Sequence, residues 1–399
     1  MFFGSKQTVV STDAKKIDEL LTRGVSEVIP GADSLKKLLQ SGKRLRIKLG
    51  IDPTSPHLHI GRSVVLLKLK DFQDLGHQIV FIIGDATGVV GDTSDKEAER
   101  PMLSDAEVSK NLASYVVQVS KILDKSRLEV RRNSEWLLKL TYREIGEHAD
   151  LFSVSDFIAR DNIKKRLDLG KRVSLREVLY PLMQGYDSVA VKADVELGGT
   201  DQRFNLLAGR VMQEKFGQPA QHILTTNIIL GTDGRKMSSS WGNTINLNDE
   251  PGDMYGKVMS VPDELVETYF IHTTRLPTDE IARAIAGHPK EAKAALAREI
   301  VRMYHSEAAA QKAESAFASV FAKGEMPEDM QEIKSEGRLR ETLVKNGIIP
   351  SNSEFARLVS SGAVKKITGT EEMKITDVNA SAESGKTYKI GPRRFVKIV

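Results

Sequence analysis

Asp52-Pro53-Thr54-Ser55-Pro56-His57-Leu58-His59-Ile60-Gly61-Arg62 separates two stretches of different hydrophobic period. Before it, Arg44-Leu45-Arg46-Ile47-Lys48-Leu49-Gly50-Ile51-Asp52 alternates basic and apolar residues, the period of a strand. After it, Val64, Leu66, Leu67, Leu69, Phe72 and Leu75 recur at spacings mostly of three or four, which predicts a helix ending near Gly76. Gln78-Ile79-Val80-Phe81-Ile82-Ile83-Gly84 is then a short apolar run of the kind found in buried parallel strands. Strand, turn, helix and strand within about 40 residues make a βαβ unit. In such a unit the turn into the helix is where nucleotides bind, because the helix N-terminus offers free N–H groups and positive potential. His59 and Gly61 are therefore candidate nucleotide contacts, His59 as a donor to phosphate oxygens and Gly61 because the lack of a Cβ permits close approach.

Further strand candidates are Leu128–Arg131, Ala193–Leu197 and His222–Leu224, with helical patterns between them. The fold class expected is α/β: a Rossmann-like, doubly wound parallel sheet to residue 245, with a helical insertion at about 100–180. The insertion carries the basic stretch Arg160-Asp161-Asn162-Ile163-Lys164-Lys165-Arg166. Residues 246–325 read as an α-helical domain, 326–337 as a linker and 338–399 as a small α+β module. That last module holds 12 Lys+Arg against 6 Asp+Glu, whereas the other 337 residues hold 46 against 48. A basic module on a near-neutral body points to a polyanionic partner.

Composition narrows the function classes. The chain has no cysteine, which excludes disulfides, thiolate metal sites and thiol catalysis. Its 8 histidines form no metal-binding cluster in sequence. No apolar run approaches the ~18 residues of a membrane span. Met1-Phe2-Phe3-Gly4-Ser5-Lys6 lacks the apolar core of a leader, so a cytoplasmic location is expected.

Four more stretches carry chemistry. Gly231-Thr232-Asp233-Gly234-Arg235-Lys236-Met237-Ser238-Ser239-Ser240 reads as a mobile loop offering Lys236 to a phosphate. Tyr180-Pro181-Leu182-Met183-Gln184-Gly185-Tyr186-Asp187 places Tyr180, Gln184 and Asp187 on one helix face, and three polar groups on a face that should be buried need a partner. Glu196-Leu197-Gly198-Gly199-Thr200-Asp201-Gln202 leaves a strand and opens a helix, with glycines for close approach and Asp201 and Gln202 for hydroxyls. Upstream, Gly84-Asp85-Ala86-Thr87-Gly88-Val89-Val90-Gly91-Asp92 ends in another carboxylate.

Taken in order, these motifs resemble the HIGH and KMSKS signatures and the tyrosine pocket of bacterial tyrosyl-tRNA synthetases, class I enzymes, over nearly the whole chain. The terminal module resembles the S4 RNA-binding fold: Arg338–Leu343 and Ser353–Val359 read as short helices, and Gly391–Ile398 as a closing basic strand. The resemblance implies ATP-dependent activation of L-tyrosine, with Mg2+ accompanying ATP, then transfer to the 3′ end of tRNA(Tyr) by a homodimer. It implies that Asp92, Tyr180 and Gln184 hold the substrate amino group and that Asp187 meets the phenol. Lys48 stands in the pocket where another bacterial branch has tyrosine. Gly199, Asp201 and Gln202 would meet the adenylate, Gln202 also the amino-acid carboxyl region, and Asp52, Gly61 and Arg62 would line the ATP site. Thr54, His59, Lys96, Arg100, Lys236 and Ser239 would stabilise the leaving pyrophosphate. Arg62 and Ser239 depart from the signatures, where histidine and lysine are usual. Those departures raise the alternative of a catalytically weak paralogue that acts as an RNA-binding protein. A tryptophan enzyme and a small nucleotidyltransferase are the other rivals, and the Gly-Gly-Thr-Asp-Gln string and the basic tail argue against them.

Overall fold

The computed structural model describes residues 9–92, 105–238, 241–323, 330–368, 371–391 and 394–399. They form two compact units: Met1–Asn248 with Val261–Ala292, and Asp249–Ser260 with Lys293–Val399.

The first unit is built on a six-stranded sheet. Its strands are β1 (Val25–Ile29), β2 (Arg46–Ile51), β3 (Gln78–Ile83), β4 (Leu128–Arg132), β5 (Val195–Gly199) and β6 (His222–Thr226), in the order β1-β6-β5-β2-β3-β4. β2 to β6 are mutually parallel, and β1 lies antiparallel on β6 at the edge. The expected parallel sheet is thus mixed. β1 is five residues long and only partly buried, so it lacks the continuous apolar run that betrays β3. The chain winds outward from β2 through β3 to β4, then returns to β5 and β6 on the other side. The topological switch point therefore lies between β2 and β5, where α/β sheets bind ligands.

The helix Ile60–Asp74 buries Ile60, Val64, Leu66, Leu67, Leu69 and Phe72, as its spacing predicts. The helix Leu175–Val191 starts at a capping box formed by Ser174 and Glu177. Its Gly185 faces Ala208 and Met212 of the helix Arg203–Lys215; a Cβ there would sit 2.8 Å from Met212 Sδ. Residues 261–292, expected within a separate helical domain, belong to this unit. Arg23 Nη1 donates to Leu276 O at 2.7 Å, and Arg275 is paired with Asp71 at 2.8 Å.

The second unit carries a five-stranded sheet of β7 (Gln331–Ile333), β8 (Val364–Thr368), β9 (Glu371–Lys374), β10 (Thr387–Ile390) and β11 (Arg394–Ile398), in the order β7-β11-β10-β8-β9. Helices Leu339–Lys345 and Asn352–Ser360 cover it, closing a core of Leu339, Leu343, Phe355, Val364, Tyr388, Val396 and Ile398. β7 corrects the linker expected at 326–337: residues 331–333 pair in parallel with β11. A three-residue strand is too short to leave a period in the sequence. Tyr255 of the helix Pro251–Met259 packs on Phe317 of the helix Glu307–Lys323, with ring centroids 5.3 Å apart. Among the described residues no helix is long and apolar enough to cross a membrane.

Candidate active site

Two stretches about 175 residues apart in sequence are bonded together at the switch point. Ile60 N donates to Ile245 O at 2.8 Å, and Leu247 N donates to Leu58 O at 2.8 Å. The approach to the helix Ile60–Asp74 is thereby tied to the segment that follows the Lys236 loop. His59 occupies the N-cap position of the helix Ile60–Asp74, its carbonyl accepting from Arg62 N at 2.9 Å. Gly61 has a packing reason: a Cβ would lie 2.9 Å from His59 Nδ1 and 3.3 Å from Met237 Sδ. The glycine of one signature is thus in contact with the methionine of the other. Lys236 pairs with Asp201 at 3.2 Å, which brings the loop to the end of β5. Asn243 holds that loop, accepting from Ser238 N at 2.9 Å and donating to Asp233 at 2.7 Å. Gly199 leaves space for Asp201, since a Cβ would meet its Oδ1 at 2.6 Å.

Behind this opening runs a connected set of polar groups. Tyr180 Oη donates to Asp52 Oδ2 at 2.9 Å, and Thr87 Oγ1 donates to Asp52 Oδ1 at 2.7 Å. Asn133 Nδ2 donates to Thr87 Oγ1 at 2.9 Å and to Asp187 Oδ2 at 3.3 Å. Trp136 Nε1 donates to Asp187 Oδ1 at 2.8 Å. Burial pushes Asp52 up to about 6, against the pull of the Thr87 and Tyr180 hydrogen bonds. Burial pushes Asp187 up to about 7, while the Lys48 charge and the Trp136 and Asn133 donors hold it down. The Tyr180 phenol is raised well above its ordinary value by burial and then by the Asp52 charge, with Asp92 and Asp187 adding to it. Tyr180 thus feels three carboxylates, Asp52, Asp92 and Asp187.

The structure modifies several expectations. Asp52, expected at ATP, has both carboxylate oxygens engaged by Thr87 and Tyr180. Lys48, expected among the tyrosine contacts, points its ammonium at Gln184 O (2.9 Å), Ser188 Oγ (2.8 Å) and Glu196 Oε1 (2.8 Å). An ammonium has three N–H donors, and each meets a protein acceptor here. Gln184 turns its amide NH2 to Glu196 at 3.2 Å, and Gln202 turns its own to Asp92 at 2.7 Å. Arg62 reaches Thr54 Oγ1 at 3.4 Å. Lys96, Arg100 and Ser239 lie outside the described residues.

Sequence reasoning missed Thr87, Asn133, Trp136 and Glu196 as site residues. The available signal was position: Asn133 and Trp136 follow β4 at its carboxyl end, the side on which these sheets carry their sites. Glu196 is opposite Lys48 in the β2–β5 ladder, a pairing that sequence alone cannot register.

Comparison with known proteins places this geometry. A tyrosine--tRNA ligase of Moorella thermoacetica is 45% identical over 392 residues, covering 95% of this chain and 94% of that one. Those of Thermotoga maritima and Haemophilus influenzae are 44% and 42% identical, over 95% and 97% of this chain and 96% and 98% of theirs. Among solved structures, a C-terminally truncated mitochondrial tyrosyl-tRNA synthetase of Aspergillus nidulans has the same fold, with a TM-score of 0.65 and 24% identity over 77% of this chain and 94% of that one. The corresponding Coccidioides posadasii protein gives a TM-score of 0.61 at 26% identity, over 75% and 91%. Residues 40–322 match the model of the tRNA synthetases class I (W and Y), and with relatives of this identity and coverage the chain belongs to that family.

Proposed function

We propose that the chain activates L-tyrosine with ATP to tyrosyl-adenylate, releasing pyrophosphate, and then transfers tyrosine to the 3′ end of tRNA(Tyr). The observation that carries the choice of amino acid is Asp187, a buried carboxylate held between the Trp136 and Asn133 donors. Ionised, it accepts the phenol hydrogen of tyrosine. Phenylalanine brings no donor to the same buried carboxylate and leaves that acceptor site unfilled, which selects against it.

The neighbouring groups have the sign an ammonium requires. Tyr180 donates its own hydrogen to Asp52, which leaves its oxygen to accept. Gln184 has committed its NH2 to Glu196, so its carbonyl end is the acceptor it can offer. Asp92 supplies a carboxylate beside Gln202. The tyrosine carboxylate attacks the α-phosphorus of ATP in line and pyrophosphate departs, a step that needs positioning and charge stabilisation but no protein nucleophile. Thr54, His59, Arg62 and Lys236 serve the phosphate end, Gly199 and Asp201 the adenylate, and Lys96, Arg100 and Ser239 complete the set by sequence match. Mg2+ enters with ATP as part of the substrate. The tRNA terminal hydroxyl then attacks the carbonyl of the mixed anhydride and AMP leaves.

Residues 338–399, with their 12 Lys+Arg, form the S4-like RNA-binding module in this reading, and the basic insertion is a second tRNA contact. Exposed apolar side chains in the insertion, including Leu138 (75%), Tyr142 (93%), Val154 and Leu175, support a homodimer. In this reading the enzyme works in the cytoplasm. A pocket that retains Asp92, Tyr180, Gln184 and Asp187 together gives an RNA-only paralogue no support. ATP–pyrophosphate exchange with tyrosine, phenylalanine and tryptophan tests the reading. Exchange with tyrosine alone is expected; exchange with none of the three, in folded protein, would overturn it.

A further inference from the structure

We propose that Tyr115 is a positioning residue for nucleotide binding: its hydroxyl fixes the Arg62 guanidinium against Thr54, so that the two act as one unit. Arg62 Nη1 donates to Tyr115 Oη at 3.0 Å, and Arg62 Nη2 donates to Thr54 Oγ1 at 3.4 Å. Tyr115 is 1% exposed and lies on the helix Asp105–Val119.

The same face of that helix grips the whole approach to the nucleotide turn. Asn111 Nδ2 donates to Pro53 O at 2.8 Å, and Ser114 Oγ donates to Pro56 O at 3.0 Å. Gln118 donates to Pro56 O at 3.0 Å and accepts from Leu58 N at 2.8 Å. Asn111, Ser114, Tyr115 and Gln118 stand at i, i+3, i+4 and i+7, which is one helix face. Three of the four hold backbone, and the fourth holds the side chain that departs from the signature.

The physical need is specific to arginine. A guanidinium carries a fixed planar fork on a long stem with several rotamers. It stabilises charge without reorganising only if the fork is already aimed. Tyr115 takes one prong and Thr54 the other, and the rigid ring of a buried tyrosine is a fixed anchor.

This inference rests on the reading of the turn as an ATP site and is independent of which amino acid is activated. The test compares wild type, Tyr115→Phe, Arg62→Lys and the double variant, each read two ways. ATP is titrated calorimetrically without amino acid, and tyrosine-dependent pyrophosphate exchange is measured over ATP and over tyrosine. Tyr115→Phe is expected to weaken ATP binding and kcat/KM for ATP about tenfold, the scale of one hydrogen bond to a charged group. KM for tyrosine stays within about twofold, the scatter allowed to sites that share no partner. A lysine lacks the fixed planar fork that Tyr115 and Thr54 hold at two separate prongs, so Tyr115→Phe is expected to have little further effect in the Arg62→Lys background. Unchanged ATP binding in Tyr115→Phe, an equal rise in KM for tyrosine, or the same factor lost in both backgrounds would each overturn the proposal. Should the phenylalanine variant fold poorly, Arg62→Lys alone must show the ATP-specific loss; an ATP affinity equal to wild type would overturn it. Absence of exchange in wild type with ATP still bound would overturn the amino-acid assignment and leave this test readable.

Discussion

The Lys48 ammonium and the Glu196 carboxylate are 2.8 Å apart, directly opposite in the β2–β5 ladder, with side chains 0% and 1% exposed. The pair sits at the switch point of the sheet beneath the helix that carries Tyr180, Gln184 and Asp187. Glu196 also accepts from Gln184, Ser188 (3.0 Å) and Gln221, so the carboxylate ties that helix to the sheet. The Lys48 charge is also the first of the influences that oppose the burial of Asp187.

Breaking this pair from one side leaves a buried charge without its nearest counter-charge. Lys48→Met and Glu196→Gln should each lose about 3–5 kcal/mol, the scale for an orphaned buried ion. Lys48→Met/Glu196→Gln should regain most of that, because both charges are gone. Urea unfolding midpoints check this; a double variant no more stable than either single one would show that the pair is not the relevant unit. Even when stable, the double variant should bind tyrosine less well, since Asp187 has lost its counter-charge.

Tyrosine activation should depend on pH through Asp187. Its carboxyl titrates at about 7 against an ordinary 3.8, so the folded chain holds an extra proton between those values. That proton contributes stability which is complete below the ordinary value and lost as pH rises through 7. Tyrosine binding changes in the opposite sense, because the ionised carboxylate is the stronger acceptor for the phenol hydrogen. KM for tyrosine should fall between pH 6 and pH 8, well below the titration of free phenol. Trp136→Phe removes a donor to the ionised form and should move the midpoint up by about one pH unit. A flat KM profile in wild type would sink this role for Asp187.

Gly61→Ala tests the contact between the two signatures. The added methyl would press on His59 Nδ1 at 2.9 Å and on Met237 Sδ at 3.3 Å. We expect kcat for pyrophosphate exchange to fall about tenfold or more, the consequence of displacing a phosphate-end group, with little change in KM for tyrosine. Gly252→Ala is the control, since a Cβ there meets nothing within 4 Å. Equal behaviour of the two variants would mean that the Gly61 contact is mechanically irrelevant.

The sequence shows best what repeats with a period or a motif. β3 was legible because five consecutive buried residues, Ile79 to Ile83, leave an uninterrupted apolar run, and the helix Ile60–Asp74 because its apolar stripe starts at a turn signal. The motifs at Asp52, Gly84 and Gly199 were legible because each follows a strand, and the one at Tyr180 because its polar residues share a helix face. What stayed hidden depends on register and on contacts between distant segments. Lys48 looked like a ligand contact because nothing local says that β5 will place Glu196 opposite it. Trp136 and Asn133 carry no motif and act only because the short helix Ser134–Leu137, which Asn133 caps after β4, passes close to the helix holding Asp187. β7 has three residues and exists because β11 offers it an edge.

Removal of the terminal module should separate the two half-reactions, provided the cut respects the sheet. A deletion starting at residue 338 leaves β7 without β11, its partner, and exposes Ile333, which is buried in the module core. Deletion of residues 330–399 removes the five-stranded sheet whole. It also removes the Arg394–Asp253 ion pair at 3.2 Å, a partly exposed contact expected to contribute little. Tyrosine-dependent pyrophosphate exchange should then persist within a fewfold of wild type, because no described residue of the pocket lies beyond Asn243. Charging of tRNA should fall far more, and the salt dependence of tRNA affinity should become shallower as Lys and Arg contacts to phosphate are lost. Parallel measurement of exchange and charging at two salt concentrations decides it. Equal losses in both reactions, or an unchanged salt slope, would mean that the basic module serves the fold of the enzyme and does not hold the nucleic acid.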